Sequence, residues 1–422
     1  MEIDNNIFYP RIDIAGEKSG VTGMEFPLLN YMIYIVSEIF GYQHWYGRMI
    51  NLIISSIGLW FFFRLIKKYF GNTVAFYSTI ILMVSIWFKI SRKIMPDTFS
   101  MSMMIACVYY GINYLENENR KKNLWYLLAY FIFMVSAILS KLPSGYSLVV
   151  FIFFYLNKQI PVNRKLIFSS VTFLGLVPVI AWYFYWVPYL VDTYGFWHFF
   201  MGKSMKEGFR EIVQNLDLTL SRFYQTALKF SGFAVFVYGL VISIINKEWK
   251  IYSLFLISLA VFSIVVCKAG FTFAHHNYYI VPFVPIMALV AGYGLSKIKN
   301  YKLALGILLV LCIENVGNQL HDLRVKEVDF RIVNLENDLD KISQRKDLIL
   351  INSGPCPTPM YFAHRKGWVD NNENILKENY VNALKEKGLK YIVILKRSFG
   401  SEVILSCHEK VLENEDYCIY KL

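Results

Sequence analysis

Charge-free apolar runs recur through the first three quarters of the chain. They cover residues 49–63, 73–88, 98–115, 123–140 and 142–157, then 166–191, 230–246, 251–267, 277–296 and 303–313. A membrane-spanning helix needs about 20 residues, and most of these runs reach that length once their snorkelling flanks are included. The pattern therefore predicts ten spans, with kinks at Pro178, Pro282 and Pro285 inside three of the runs. Alternate loops are short and basic: Arg64, Lys67 and Lys68; Arg120, Lys121 and Lys122; Lys158, Arg164 and Lys165; Lys247 and Lys250; Lys297, Lys299 and Lys302. The positive-inside rule makes these loops cytoplasmic. The other loops, the first 45 residues and the C-terminal tail then face outward. No signal peptide precedes those 45 residues, so a first helix is expected upstream of this sequence.

Beyond residue 316 the pattern becomes that of a soluble domain. A helix is predicted over residues 325–342, a buried strand over 347–352, and a helix over 378–387 closed by Gly388. A second buried strand follows at 391–395, and a hairpin between Cys407 and Cys418. Strand and helix alternating in this way predict a small α/β layer structure. The fold class is a polytopic α-helical membrane protein of about ten transmembrane helices with a small C-terminal extracytoplasmic α/β domain. Its expected parts are a partial outer loop with an interfacial helix (1–48), a transmembrane domain (49–316) and the outer domain (317–422).

Composition agrees. The chain is 56% hydrophobic and only 18% charged, where soluble domains carry about a quarter charged residues. The tail from Gly317 onward is neutral, so the net charge of +12 sits among the apolar spans. Positive charge placed there suits cytoplasmic loops or an anionic ligand, and no nucleic acid is expected. The six cysteines offer no CxxC pair and no zinc spacing. Cys407 and Cys418 face outward and are the expected disulfide, leaving Cys356 unpaired.

Chemistry-bearing residues concentrate on the outer side. Glu25 precedes an aromatic-rich amphipathic stretch; its plain reading is a carboxylate at a helix start. Lys89, Arg92, Lys93, Pro96 and Asp97 share one short outer loop. Three cations there break the charge bias that orients the other loops, and an anionic phosphate is the simplest reason. The plain alternative is Asp97 as a helix-start charge among basic neighbours. Lys141 lies in the turn Lys141-Leu142-Pro143-Ser144-Gly145, which Pro and Gly explain without function. His275 and His276 are adjacent, a spacing that does not place two metal ligands on one helix face. Trp182, Tyr183, Tyr185, Trp186 and Trp197 read first as an interfacial aromatic belt, second as stacking surfaces for a sugar. In the tail, the run from Tyr361 to Trp368 carries Arg365 and Lys366, read as surface packing or as head-group contacts.

Glu25-Phe26-Pro27-Leu28 with Gly41 and Arg48, Arg92-Lys93 to Pro96-Asp97, His275 to Tyr279, and Tyr361 to Trp368 follow one another in an order that resembles bacterial glycosyltransferase family 39. That family belongs with the C-type polyprenyl-phosphate-sugar transferases, which include aminoarabinose transferases and protein O-mannosyltransferases. The resemblance implies a sugar donor on a polyprenyl phosphate, a lipid, glycan or protein acceptor, and transfer at the outer face of a bacterial inner membrane. By the same resemblance Asp97 and Glu25 are the catalytic candidates, and Arg92, Lys93, Lys141, His275 and His276 the candidates for the donor phosphate. Glu25 is also the candidate ligand of a divalent metal. The family's acidic residue on the first outer loop has no counterpart, since neither Asp4 nor Asp13 sits where its motif would place it. Two other classes compete: a transporter or flippase of lipid-linked sugars, and a non-catalytic membrane subunit. Half-chain symmetry and mid-membrane charges would mark the transporter, and the sequence has neither.

Overall fold

The computed structural model describes residues 6–117, 120–195, 202–324, 327–397 and 403–422. Asp4 and Trp197 lie outside the described residues. The chain forms two compact units. One comprises residues 25–186 and 200–323; the other comprises 1–24, 187–199 and 324–422. The soluble unit therefore combines three separate stretches of the chain.

The membrane unit is helical. Among the described residues six helices are long and apolar enough to cross a membrane: Tyr46–Val84, Lys122–Ser140, Val162–Tyr194, Trp249–Ala269, Asn277–Ser296 and Tyr301–Asp322. A seventh crossing is the pair Leu216–Ala227 and Lys229–Ile245, if its 93° bend joins one span. The count of ten is thus not reached by length and hydropathy alone. One reason is that α1 (Leu28–Phe40) is only 13 residues long, while α2 (Tyr46–Val84) takes up two of the predicted runs in one 39-residue element. Helix α3 (Pro96–Glu116) carries Asp97, Ser100 and Ser102 and buries most of its length, so it does not need a lipid-facing apolar surface. The run after Ser140 is a 3-10 helix, Leu142–Phe151, continued by a short α-helix.

Local sequence sets several of these boundaries. Gly71, at φ 85°, breaks α2 into two arms, a conformation that only glycine takes without strain. Pro96 opens α3 at the first helical position after extended Met95, as the missing N–H and fixed φ favour. Gly58 of α2 lies against Ser102 of α3, where a Cβ would come within 2.3 Å of the Ser102 hydroxyl. Small residues at that crossing let the two backbones approach closely. Helix α4 (Arg120–Ser140) packs on α3, α5 (Trp249–Ala269) is the third predicted span from the end, and α6 (Val284–Ser296) is almost wholly enclosed.

The soluble unit holds a five-stranded sheet in the order β2-β1-β3-β5-β4: β1 (Leu348–Ile351), β2 (Gly367–Val369), β3 (Leu389–Leu395), β4 (Glu409–Glu413) and β5 (Tyr417–Lys421). The first three in space are parallel and the last two antiparallel. Ile349, Ile351, Val393 and Ile419 face one core with Leu335 and Leu339 of α7 (Leu335–Ile342) and Met360 of α8 (Thr358–Ala363). Leu350, Ile392 and Ile394 face the other with Val381 and Leu384 of α9 (Glu378–Glu386). Strands β1, β3 and the terminal hairpin, and the helix before Gly388, stand where the sequence predicts them. The predicted 325–342 helix is instead two, Glu327–Ile332 and α7. Strand β2 was not visible in the pattern, because three residues are too few to show a period. Its outer edge is capped by the N-terminal segment: Gly16 N–H donates to Gly367 O at 2.7 Å, and Gly367 N–H to Asp13 O at 3.0 Å.

The expected disulfide is absent; Cys407 and Cys418 are both free thiols. Cys418 points from β5 into the second core, while Cys407 is exposed in the loop before β4.

Candidate functional site: a buried lysine between two carboxylates

Three chain segments of the membrane unit bring Glu25, Asp97 and Lys141 together. Lys141 follows the last residue of α4 and is 9% exposed. Its ammonium donates to Glu25 Oε1 at 2.7 Å and lies 5.6 and 5.4 Å from the ring centres of Tyr278 and Tyr279. Both carboxylates act on it. Burial opposes its charge, but Asp97 and Glu25 outweigh that cost and hold Lys141 above the ordinary lysine range. Asp97, in the first turn of α3, is 2% exposed, and its Oδ2 has no hydrogen-bond partner among the described residues. A buried acceptor without a donor is costly, which makes it a natural place for a ligand hydroxyl.

Neighbouring bonds fix this geometry. Phe26 N–H donates to Leu139 O at 3.1 Å, and the Phe26 ring meets Trp182 edge-on at 4.9 Å. Tyr183 donates to Leu139 O at 2.7 Å. Glu25 is thereby tied to the end of α4, next to Lys141. Ser100 of α3 donates to Ala137 O at 2.8 Å and Ser144 to Lys141 O at 3.0 Å, which locks the Lys141 turn onto the helix carrying Asp97.

Asn51 is the residue that sequence reasoning missed. Fully buried on α2, it donates to the carbonyls of Ile90 (3.2 Å), Lys93 (2.7 Å) and Met95 (3.1 Å), and accepts from Thr98 (3.3 Å) and Ser55 (3.2 Å). It thus clamps the loop that leads into Asp97. An asparagine inside an apolar run was the available signal, since an amide at that depth needs partners.

The other expected site residues are placed differently. Arg92 folds back on its own helix end, donating to Phe88 O at 2.6 Å with its guanidinium 3.8 Å from the Phe88 ring centre. Lys89 pairs with Asp322, on which Lys93 also acts. His275 stacks on Phe271 at 3.8 Å, and Arg222 holds the turn before it by donating to Ala274 O at 2.8 Å. His276 is held below the usual imidazole pKa by burial and by His275, Lys141 and Arg222, so it is neutral at pH 7 and offers a phosphate a hydrogen bond rather than a charge.

In the soluble unit Arg365 is 2% exposed and donates to Asp340 at 2.7 Å and to Ser343 Oγ at 3.1 Å. That corrects its reading as a head-group contact, because its guanidinium is enclosed by its own domain. Lys366 is bonded to the Lys18 carbonyl, and His364 sits 2.6 Å from Glu336.

As a metal centre the residues fit poorly. No group of three His, Cys, Asp or Glu side chains converges among the described residues, and Glu25 already receives an ammonium. No step is derived through a metal.

The chain is similar to known proteins in part of its sequence and in its fold. Residues 24–186 match the family described as dolichyl-phosphate-mannose-protein mannosyltransferase, a segment that contains Glu25, Asn51, Asp97 and Lys141. No curated protein matches the chain by sequence. Among solved structures, ArnT from Cupriavidus metallidurans in the apo state is similar with a TM-score of 0.59 and 13% identity, over 95% of this chain and 88% of that one. The same protein bound to undecaprenyl phosphate gives 0.58 and 12%, with the same coverage. The oligosaccharyltransferase AglB from Archaeoglobus fulgidus, in complex with an inhibitory peptide and a dolichol-phosphate, gives 0.55 and 12% over 92% of this chain and 63% of that one. Residues 24–186 thus match that family, and the fold is similar to those of ArnT and AglB.

Proposed function

We propose that this protein transfers a sugar from a polyprenyl-phosphate donor to a hydroxyl-bearing lipid, glycan or protein at the extracytoplasmic face of a bacterial inner membrane. The observation that carries the reading is the Glu25–Lys141–Asp97 cluster, a buried cation between two carboxylates at the outer ends of their helices. The undecaprenyl phosphate and dolichol-phosphate held by the two similar structures support the donor class.

In this reading the unpartnered Asp97 oxygen accepts the acceptor hydroxyl and takes its proton as the new C1–O bond forms. The C1–O bond to phosphate breaks, and the polyprenyl phosphate leaves with the electron pair. Lys141 compensates the charge on that leaving phosphate, Glu25 orients Lys141, and His276 donates a hydrogen bond. One displacement inverts the anomeric carbon. The test is transfer of radiolabelled sugar from polyprenyl-phosphate donors in membranes containing this chain. Transfer that Asp97→Asn abolishes is the expected result. Correctly inserted protein that transfers nothing across a broad donor and acceptor panel would sink the reading.

A further inference from the structure

We infer that an apolar channel in the membrane unit holds one acyl chain of an anionic phospholipid from the leaflet beside the basic loops. The inference rests on the orientation adopted above, with the basic loops cytoplasmic, but not on sugar transfer.

The channel has a volume of about 530 Å³ and runs between α2, α3, the 3-10 helix, α5 and α6. At the end away from the basic loops it is lined by the buried Met101, Tyr146 and Pro285. At the other, Asn157, Trp249 and Lys250 are exposed and form a mouth on the side of the basic loops. Its length follows from α3, which lines it from Met101 to Glu116, roughly 22 Å at 1.5 Å per residue. That is longer than one leaflet's share, about 15 Å, of a 30 Å hydrocarbon core.

Volume and length together select the occupant. Spread over that length, about 530 Å³ makes a narrow bore. Carbon atoms touch at about 3.5–4 Å, so a single hydrocarbon chain suits it. A helix, about 10–12 Å wide with side chains, is too broad for it. Water is disfavoured by the predominantly aliphatic and aromatic walls.

Charge at the mouth selects the head group. Glu116 is matched there by Lys68 at 2.6 Å and by the Tyr69 hydroxyl at 2.8 Å. Lys250 has no acidic partner among the described residues. A phosphate seated between Lys250 and the interfacial Trp249 completes the mouth. The Met101 end lies one helical turn beyond Asp97 on α3, so the bound chain fills space directly behind the candidate site.

The experiment uses the full chain purified in mild detergent. Native mass spectrometry should find one phospholipid retained per protein. After lipid removal, phosphatidylglycerol nanodiscs should raise the melting temperature more than phosphatidylcholine nanodiscs. Val108→Trp, which fills the bore, should abolish retention. Lys250→Glu, at an exposed position where folding is not at issue, should weaken the phosphatidylglycerol preference at least fivefold, as expected for losing one interfacial cation. A preference unchanged in Lys250→Glu, a native protein with no retained phospholipid, or a polyprenyl chain retained instead would overturn the inference. Retained phospholipid without any sugar transfer would count against the proposed function alone.

Discussion

Two buried cations, one in each unit, are held in opposite ways. Arg365 in the soluble unit faces one carboxylate, the Ser343 hydroxyl and nearby carbonyls, leaving only its Nε unmatched. Lys141 in the membrane unit faces two carboxylates and two tyrosine rings, and one of those carboxylates keeps a buried oxygen without a donor. The first cluster is closed: it joins α7 to the turn before β2 and has nothing left to offer. The second holds excess negative charge and an open acceptor. A fold tolerates that arrangement where a ligand completes it, so the contrast separates a structural ion pair from a working one.

The sharpest break of this contrast is Asp97→Asn against Asp340→Asn. The first should cut sugar transfer by about 10²–10⁴, the range of a lost general base, with little change in melting temperature. Equal loss of activity from both would erase the distinction. Next comes Lys141→Met against Arg365→Met. Removing Lys141 should cost transfer about 10²–10³-fold, as for a lost charge-stabilising donor, while Arg365→Met should leave kcat unchanged. A Lys141→Arg variant that recovers most of the activity would point to charge rather than shape.

Asn51→Ala comes third. Freeing the loop before Asp97 should lower kcat about tenfold to a hundredfold through misplacement of the carboxylate, and destabilise the membrane unit by about 1–3 kcal/mol. Thermal unfolding in detergent, read beside kcat, distinguishes the two effects; a stability loss with full kcat would make Asn51 purely structural.

The smallest effect belongs to the closed cluster. Asp340→Asn should destabilise the soluble unit by roughly 2 kcal/mol, below the 3–5 of a fully buried pair because Asp340 is 37% exposed. The pH dependence has a definite sign. Burial alone would raise the Asp340 pKa, but the Arg365 and Arg345 guanidiniums hold it below the ordinary value. Its contribution is therefore present above about pH 4 and is lost as pH falls through the lower folded value. Hydrogen exchange in β1 and β3 should rise on acidification in the wild type and depend less on pH in Asp340→Asn.

Much of this was legible in one dimension. Apolar runs and basic loops marked a multi-pass membrane protein, and the shift in pattern near residue 316 marked the soluble unit, because hydropathy and periodicity are local properties. Strands β1 and β3 and the helix before Gly388 were visible for the same reason. Glu25, Asp97 and Lys141 were each identifiable as polar residues beside apolar runs. Their meeting was not, since it depends on the crossing of α3 with α4 and on the Phe26–Leu139 and Ser100–Ala137 bonds between distant segments. The same limit hid the inward turn of Arg365 and the clamp made by Asn51, and led to a disulfide where strand facing sends Cys418 inward. Sequence determined which residues dislike lipid and roughly where they lie; tertiary structure decided which of them are already satisfied by each other, because a buried polar group takes its partners from wherever the chain folds past it.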